Sequence, residues 1–307
     1  MGYIAWMGWQ MRVPADWRPL RIEGDWTRGY VIVGDAAEPV LQVKWWRPGR
    51  ERFDADRWIT RRLKSLRLRR GAAGGPTDPR GFTSTAWVPE DPILESKRNL
   101  LRMWYGYAER AGLVIEMTVS EGAPNKVKKE VWVKSLPSMT VYDAGGLTRW
   151  AVFGGSFESP TGCRLTGKKL LLGDLALWFG AKDGSQLTLR QVYPYQLAVG
   201  RRKLERWMEV RPYKERRRYK STDIAEVWRA RSFGRTLVGL KTVGQKRLPA
   251  PLGFCSPRRT MTVAVHDADL DRLLLAEHDS PREPDEQLLA AAIGRMNWGY
   301  FESGGNA

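Results

Sequence analysis

The sequence holds little that could carry covalent or metal chemistry. Its 307 residues include two cysteines, Cys163 and Cys255, and two histidines, His266 and His278. The thiols lie far apart with no metal-type spacing, which excludes a disulfide scaffold and argues against a zinc site of the usual kind. With so few histidines, no Ser-His-Asp or Cys-His pair can be argued. No stretch approaches the ~20 apolar residues that a membrane span needs. The opening "MGYIAWMGWQMRVPADW" has no basic segment followed by a long aliphatic one, so a mature chain starting near Met1 and a cytoplasmic location are expected. Asparagine and glutamine are scarce, at four and seven residues. Together with abundant Arg, Trp and Pro, that is a profile a thermophilic or GC-rich source would produce with no ligand at all.

What the chain has is positive charge. Its formal net charge is +17, with 36 arginines against 15 lysines. A charge of that size repels itself and points to an anionic partner, and the planar guanidinium fork suits phosphate. The excess is concentrated. Residues 50–70 carry a net +6 and residues 201–220 a net +7, including the run "RPYKERRRYK", while residues 267–286 carry −6. The acidic segment could fold back on a basic one or balance charge locally.

Two segments read as copies of one another. Residues 12–46 and 158–192 align at an offset of 146, matching Pro14 to Pro160, Arg18 to Arg164, Gly34 to Gly180 and Leu41 to Leu187. Each leads into a basic helix candidate. In 53–70, Ile59, Leu63 and Leu66 share a helical face; in 196–214, Leu197, Leu204, Trp207 and Met208 do so. Residues 112–122 alternate as a half-buried strand, and 260–269 match them at an offset of 148. Closing helices are expected over 124–136 and 268–278. The expected organisation is a first repeat over 1–141, a junction over 142–149, a second repeat over 150–282, and a tail over 283–307 with one short apolar helix. The expected class is α+β, each half an antiparallel sheet covered by helices.

The segment "VPADW", with Pro14 and Trp17, the strand Leu113 to Val119, and Ser135 and Leu136 after a helix together resemble the PsbP and Mog-type domains. The second half keeps Pro160 but lacks the tryptophan. The resemblance implies a binding or assembly role without catalysis and transfers no site residues.

Motifs for catalysis or metal binding fail on inspection. "GCRLTGKK" (162–169) has Lys169 where a phosphate loop needs Ser or Thr, and it reads as a basic hairpin. Asp267, Asp269 and Asp271 have calcium-loop spacing, but Arg272 and His278 stand where Gly and Glu are required. An acid-rich helix start explains those aspartates better. No catalytic residue, metal or cofactor is therefore expected.

The leading expectation is a basic nucleic-acid-binding protein, for RNA or DNA, gripping phosphates with paired basic helices. The candidates are Arg61, Arg62, Lys64, Arg67, Arg69 and Arg70, with Arg201, Arg202, Lys203, Arg216, Arg217 and Arg218. Strand alternation puts Trp45 inside and Trp46 outside, beside Arg47, which makes Trp46 a stacking candidate. The alternative is an adaptor or assembly factor that meets an acidic protein through the same faces. For any single basic run, the bland reading is a solvated helix face.

Overall fold

A computed structural model of the chain describes residues 2–35, 38–49, 53–71, 77–88, 103–141, 146–210, 219–221, 226–232, 235–246 and 258–298. Arg216–Arg218, Cys255 and residues 142–145 of the expected junction lie outside them. The chain forms two compact units, one ending at Gly154 and the other spanning Gly155–Trp298.

The first unit runs β1 (Gly2–Trp6), β2 (Trp9–Val13), β3 (Arg18–Gly24), β4 (Arg28–Gly34), β5 (Pro39–Trp46), α1 (Ala55–Ser65), β6 (Ser84–Val88), β7 (Met103–Ala108), β8 (Leu113–Val119), α2 (Asn125–Glu130), β9 (Thr140–Val141) and β10 (Leu147–Val152). Strands β3-β4-β5 and β6-β7-β8 are antiparallel meanders, and the sheet order is β3-β4-β5-β8-β7-β6. The meanders meet at the β5–β8 ladder, where Leu41, Val43 and Trp45 face Val119, Met117 and Ile115. In β5 side chains alternate, so Leu41, Val43 and Trp45 are buried and Gln42, Lys44 and Trp46 only half-buried.

Helix α1 covers one sheet face. Ile59 and Leu63, a turn apart, pack on Ala86, Val88, Met103 and Tyr105. Its start is set by Asp54, whose side chain accepts from Arg57 N at 2.9 Å. On the opposite face Trp132 meets Trp87 edge-on at 4.5 Å. Trp132 belongs to a π turn that prolongs α2 to Ser135, with a 3₁₀ turn reaching Ser138. A small ribbon of order β9-β2-β1-β10 buries Trp6, Trp9 and Trp150.

The second unit runs β11 (Gly155–Pro160), β12 (Arg164–Leu171), β13 (Asp174–Gly180), β14 (Gln186–Val192), α3 (Tyr195–Val199), α4 (Leu204–Val210), β15 (Tyr219–Ser221), β16 (Glu226–Ser232), β17 (Arg235–Lys246), β18 (Arg259–Asp267), β19 (Arg272–Ser280), α5 (Glu286–Gly294) and β20 (Asn297–Trp298). Its sheet has the order β12-β13-β14-β19-β18-β17, with the outer edge of β17 shared by β15 and β16. This is the first sheet's order with two strands more, both on the edge of β17. The ladders also match in register. Arg18 faces Gly34 and Arg164 faces Gly180, both at the offset of 146, and a bulge follows at the same point in each. Further along, Tyr107 faces Val114 and His266 faces Leu273, now at an offset of 159. The hairpins there turn through 3₁₀ segments ending in left-handed residues, Gly112 and Asp271.

Three expectations are corrected. The fold is β-rich, with three antiparallel sheets and five short α-helices among the described residues, and not an α+β arrangement with helices covering each sheet. Residues 268–278 are not a helix: 272–280 form β19, a central strand buried on both faces. Such a strand shows a continuous apolar run instead of alternation, which is why "LDRLLLAEH" mimics a helix. The partner of β8 is accordingly β19, not the 260–269 segment, which belongs to β18 and corresponds to β7. Helix α5 packs on β19 and β16 of the second unit.

The start of α5 is held by a histidine. Asp285 N–H donates to His278 Nδ1 at 2.9 Å, while the Asp285 side chain accepts from Leu288 N at 2.9 Å. Burial lowers the pKa of His278, against the opposing pull of Asp285, Asp183 and Asp279. A lowered native pKa means that the unfolded chain takes up the proton first, so stability falls as pH drops below about 6.5. Protonation also removes the acceptor of the Asp285 N–H, a loss of about 1 kcal/mol. The melting temperature should therefore fall by about 2–4 °C through this cause between neutral pH and pH 5. His278→Asn, whose amide oxygen can accept the same bond without titrating, should flatten that part of the profile in calorimetry. An unchanged profile would rule out His278 as the source.

Candidate polyanion interface

The candidate cations of the first unit divide by what they touch. Glu116 is 3% exposed, in the middle of β8, and accepts from Lys44 Nζ at 3.2 Å and from Arg62 Nη2 at 3.2 Å. A buried carboxylate is tolerable only when paired. Arg62 therefore ties α1 to the β5–β8 ladder. Tyr105 next to it has a raised pKa, first through burial and then through the Glu116 charge. Arg70 is also engaged, donating to Thr85 O at 3.0 Å and to Asp56 at 3.3 Å.

Lys64, Arg67 and Arg69 are exposed and have no carboxylate partner among the described residues. With Arg70 they line an open concavity of about 490 Å³ floored by Leu63 and Leu68 and bordered by Thr60. The backbone that gathers them is a Schellman end. Leu68 N donates to Leu63 O at 2.9 Å and Arg67 N to Lys64 O at 3.1 Å. The left-handed position of such an end usually holds glycine. Here Arg67 occupies it, with φ 56°. A residue with a Cβ costs about 1–2 kcal/mol in that conformation, so the arginine is not there for the benefit of the turn.

The helix dipole offers a blander account, since cations complement the negative C-terminal end. It would also repel an anion. However, the dipole amounts to roughly half a charge, and the last carbonyls are partly satisfied by the Schellman bonds. Three cations without a carboxylate partner among the described residues, with Arg70 beside them paired to Asp56, outweigh it.

In the second unit the equivalent segment is not one basic helix. It breaks at Gly200, which has φ 63°, leaving α3 and α4 as short helices, and Leu197 is exposed instead of sharing a buried face with Trp207 and Met208. Arg201, Arg202 and Lys203 occupy the exposed link. A continuous basic helix is thus formed in the first unit only, as far as the described residues extend.

Trp46 does alternate with buried Trp45, but α1 covers it: its ring lies 4.5 Å from that of Trp58, which in turn meets Tyr105 at 5.8 Å. Arg47, read only as Trp46's neighbour, sits over Trp26 at 3.8 Å and donates to Met7 O at 2.8 Å and Trp26 O at 2.5 Å. Burial lowers its pKa to about 10.

Residues 164–169 of "GCRLTGKK" lie in β12, and Asp267 is committed to Arg272 at 2.9 Å. The aspartates start a 3₁₀ turn before a strand, not a helix. Among the described residues no cluster of His, Cys, Asp and Glu could hold a metal, and no helix is long and apolar enough to cross a membrane.

If Arg62 is structural and Arg61 merely exposed, alanine at the two adjacent sites should differ in effect. Arg62→Ala should cost about 1–2 kcal/mol, limited by its partial exposure and by the remaining Lys44 contact. Arg61→Ala should stay within about 0.5 kcal/mol. Urea unfolding of both variants checks this, and equal effects would remove the distinction. The sequence matches no known protein-family model and no curated protein, so the site has to be read from its own geometry.

Proposed function

We propose that the chain is a non-catalytic nucleic-acid-binding protein that holds phosphates at the end of α1. The observation that carries this reading is the concavity lined by Lys64, Arg67, Arg69 and Arg70, with an arginine in the left-handed position where glycine would be less strained. Phosphate contacts of this kind position a strand without reading its sequence. The apolar floor of Leu63 and Leu68 suits a sugar or a base edge. The net charge of +17 supplies long-range attraction that draws a polyanion in. Arg62 and Trp46, engaged within the fold, are assigned no contact. An acidic protein partner would use the same cations and is the outcome to be separated by experiment.

Binding of labelled single- and double-stranded oligonucleotides to nuclease-treated protein should weaken linearly in log–log terms as salt rises. Replacing Lys64, Arg67 and Arg69 by glutamine should make that slope shallower by about 2–3. Arg67→Gly separates binding from folding: it should leave stability unchanged or raise it by up to about 1 kcal/mol while weakening binding. No binding at low salt, or a slope indifferent to the three substitutions, would overturn the reading and leave the acidic-protein partner.

A further inference from the structure

In the first unit the turn between β3 and β4 is sealed. Trp26 is half-buried beneath the guanidinium of Arg47, which also bonds the Trp26 and Met7 carbonyls. The second unit has a turn at the same place, between β12 and β13, and one backbone bond recurs. Tyr193 N donates to Gly173 O at 2.7 Å, as Arg47 N does to Thr27 O at 2.7 Å. At the repeat offset Leu172 replaces Trp26 and Tyr193 replaces Arg47, and both side chains are exposed.

Leu171, Leu172 and Tyr193 are 56%, 73% and 46% exposed, and Leu197 of α3 is 62% exposed. Leu197 reaches the same place: a Cβ built on Gly173 would lie 3.7 Å from its Cδ2. That Cβ would also lie 2.4 Å from Tyr193 O, so the tip requires glycine there. Four of the ten large apolar side chains exposed among the described residues thus meet at one hairpin tip. Singly exposed leucines need no explanation, but a cluster does. Directly after α3 come Arg201, Arg202 and Lys203, all exposed and without a carboxylate partner among the described residues.

We propose that this tip docks the second unit onto an anionic lipid surface. Leucines on a hairpin tip can enter the boundary between headgroups and acyl chains, where a tyrosine ring is at home. The three cations beside them match the negative surface of such a bilayer and strengthen attachment by about fivefold each. Charge also argues against a second copy of this chain as the occupant, since each copy carries +17. The proposal is independent of the concavity at the end of α1, which lies in the other unit.

The test is co-sedimentation of the full chain with phosphatidylcholine vesicles, with and without about 30 mol% phosphatidylserine. Binding is expected to the anionic vesicles only. Changing Leu171, Leu172 and Leu197 together to serine, with the net charge unaltered, should lower partitioning at least about tenfold. Because these side chains are exposed, circular dichroism and melting temperature should not move. Replacing Arg67 and Arg69 by glutamine should leave partitioning within about threefold of the parent. The proposal fails if the parent does not bind anionic vesicles, or if the serine variant binds as well as the parent, which would indicate attraction by charge alone. It also fails if the serine changes alter the sedimentation coefficient without lipid, which would make the tip a self-association surface.

Discussion

Everything in each unit depends on one ladder between strands that are not neighbours in sequence: β5 with β8, and β14 with β19. A three-stranded meander leaves both faces and both edges open, and is marginal alone. Joining two of them through their third strands gives each unit a six-stranded sheet core in which β8 and β19 are buried on both faces. It also brings the end of the first meander beside the end of the second, so the intervening helix must return across the seam. Helix α1 does this in the first unit: Trp58 meets Trp46 of β5, Arg62 reaches Glu116 of β8, and Ile59 and Leu63 pack on β6 and β7. In the second, α3 and α4 do it through Val199, Trp207 and Met208.

Charge is placed on this seam in both units, by different means. Lys44 and Arg190 occupy the same register position one repeat apart. Lys44 reaches across to Glu116, whereas Arg190 makes a two-pronged contact with Asp174 at 2.6 and 2.7 Å, with Lys169 adding a third bond. Burial pushes the Asp174 carboxyl up, but these hydrogen bonds outweigh it and hold it below the usual range. Cations that look available in sequence are therefore partly consumed by buried carboxylates, and the surplus left exposed is what can meet a partner. That surplus includes Lys64, Arg67 and Arg69 in one unit and Arg201 to Lys203 in the other.

The strands at the beginning of each repeat were legible because they alternate, and the offset of 146 between them reappears in the ladders. The match fails later because the second repeat has thirteen more residues between β14 and β18, which moves the offset to 159. A sequence comparison at nearly constant offset then pairs β8 with β18, one strand out of phase. The burial of β19 on both faces erased its period, so it read as a helix. Nothing local could reveal that Arg62 serves Glu116, 54 residues away, or that α1 would return over Trp46. The left-handed turn at Arg67 was hidden for a simpler reason: the glycine that normally signals it is not there. Gly200, by contrast, stands openly in the sequence inside 196–214, and it is where the helix breaks.

The most direct test of the account is hydrogen–deuterium exchange of the full chain with and without a single-stranded oligonucleotide. Slowed exchange at the amides of residues 64–70, with the β5–β8 ladder unchanged, is the predicted result. Binding without protection at the end of α1 would contradict the claim that this concavity holds the phosphates.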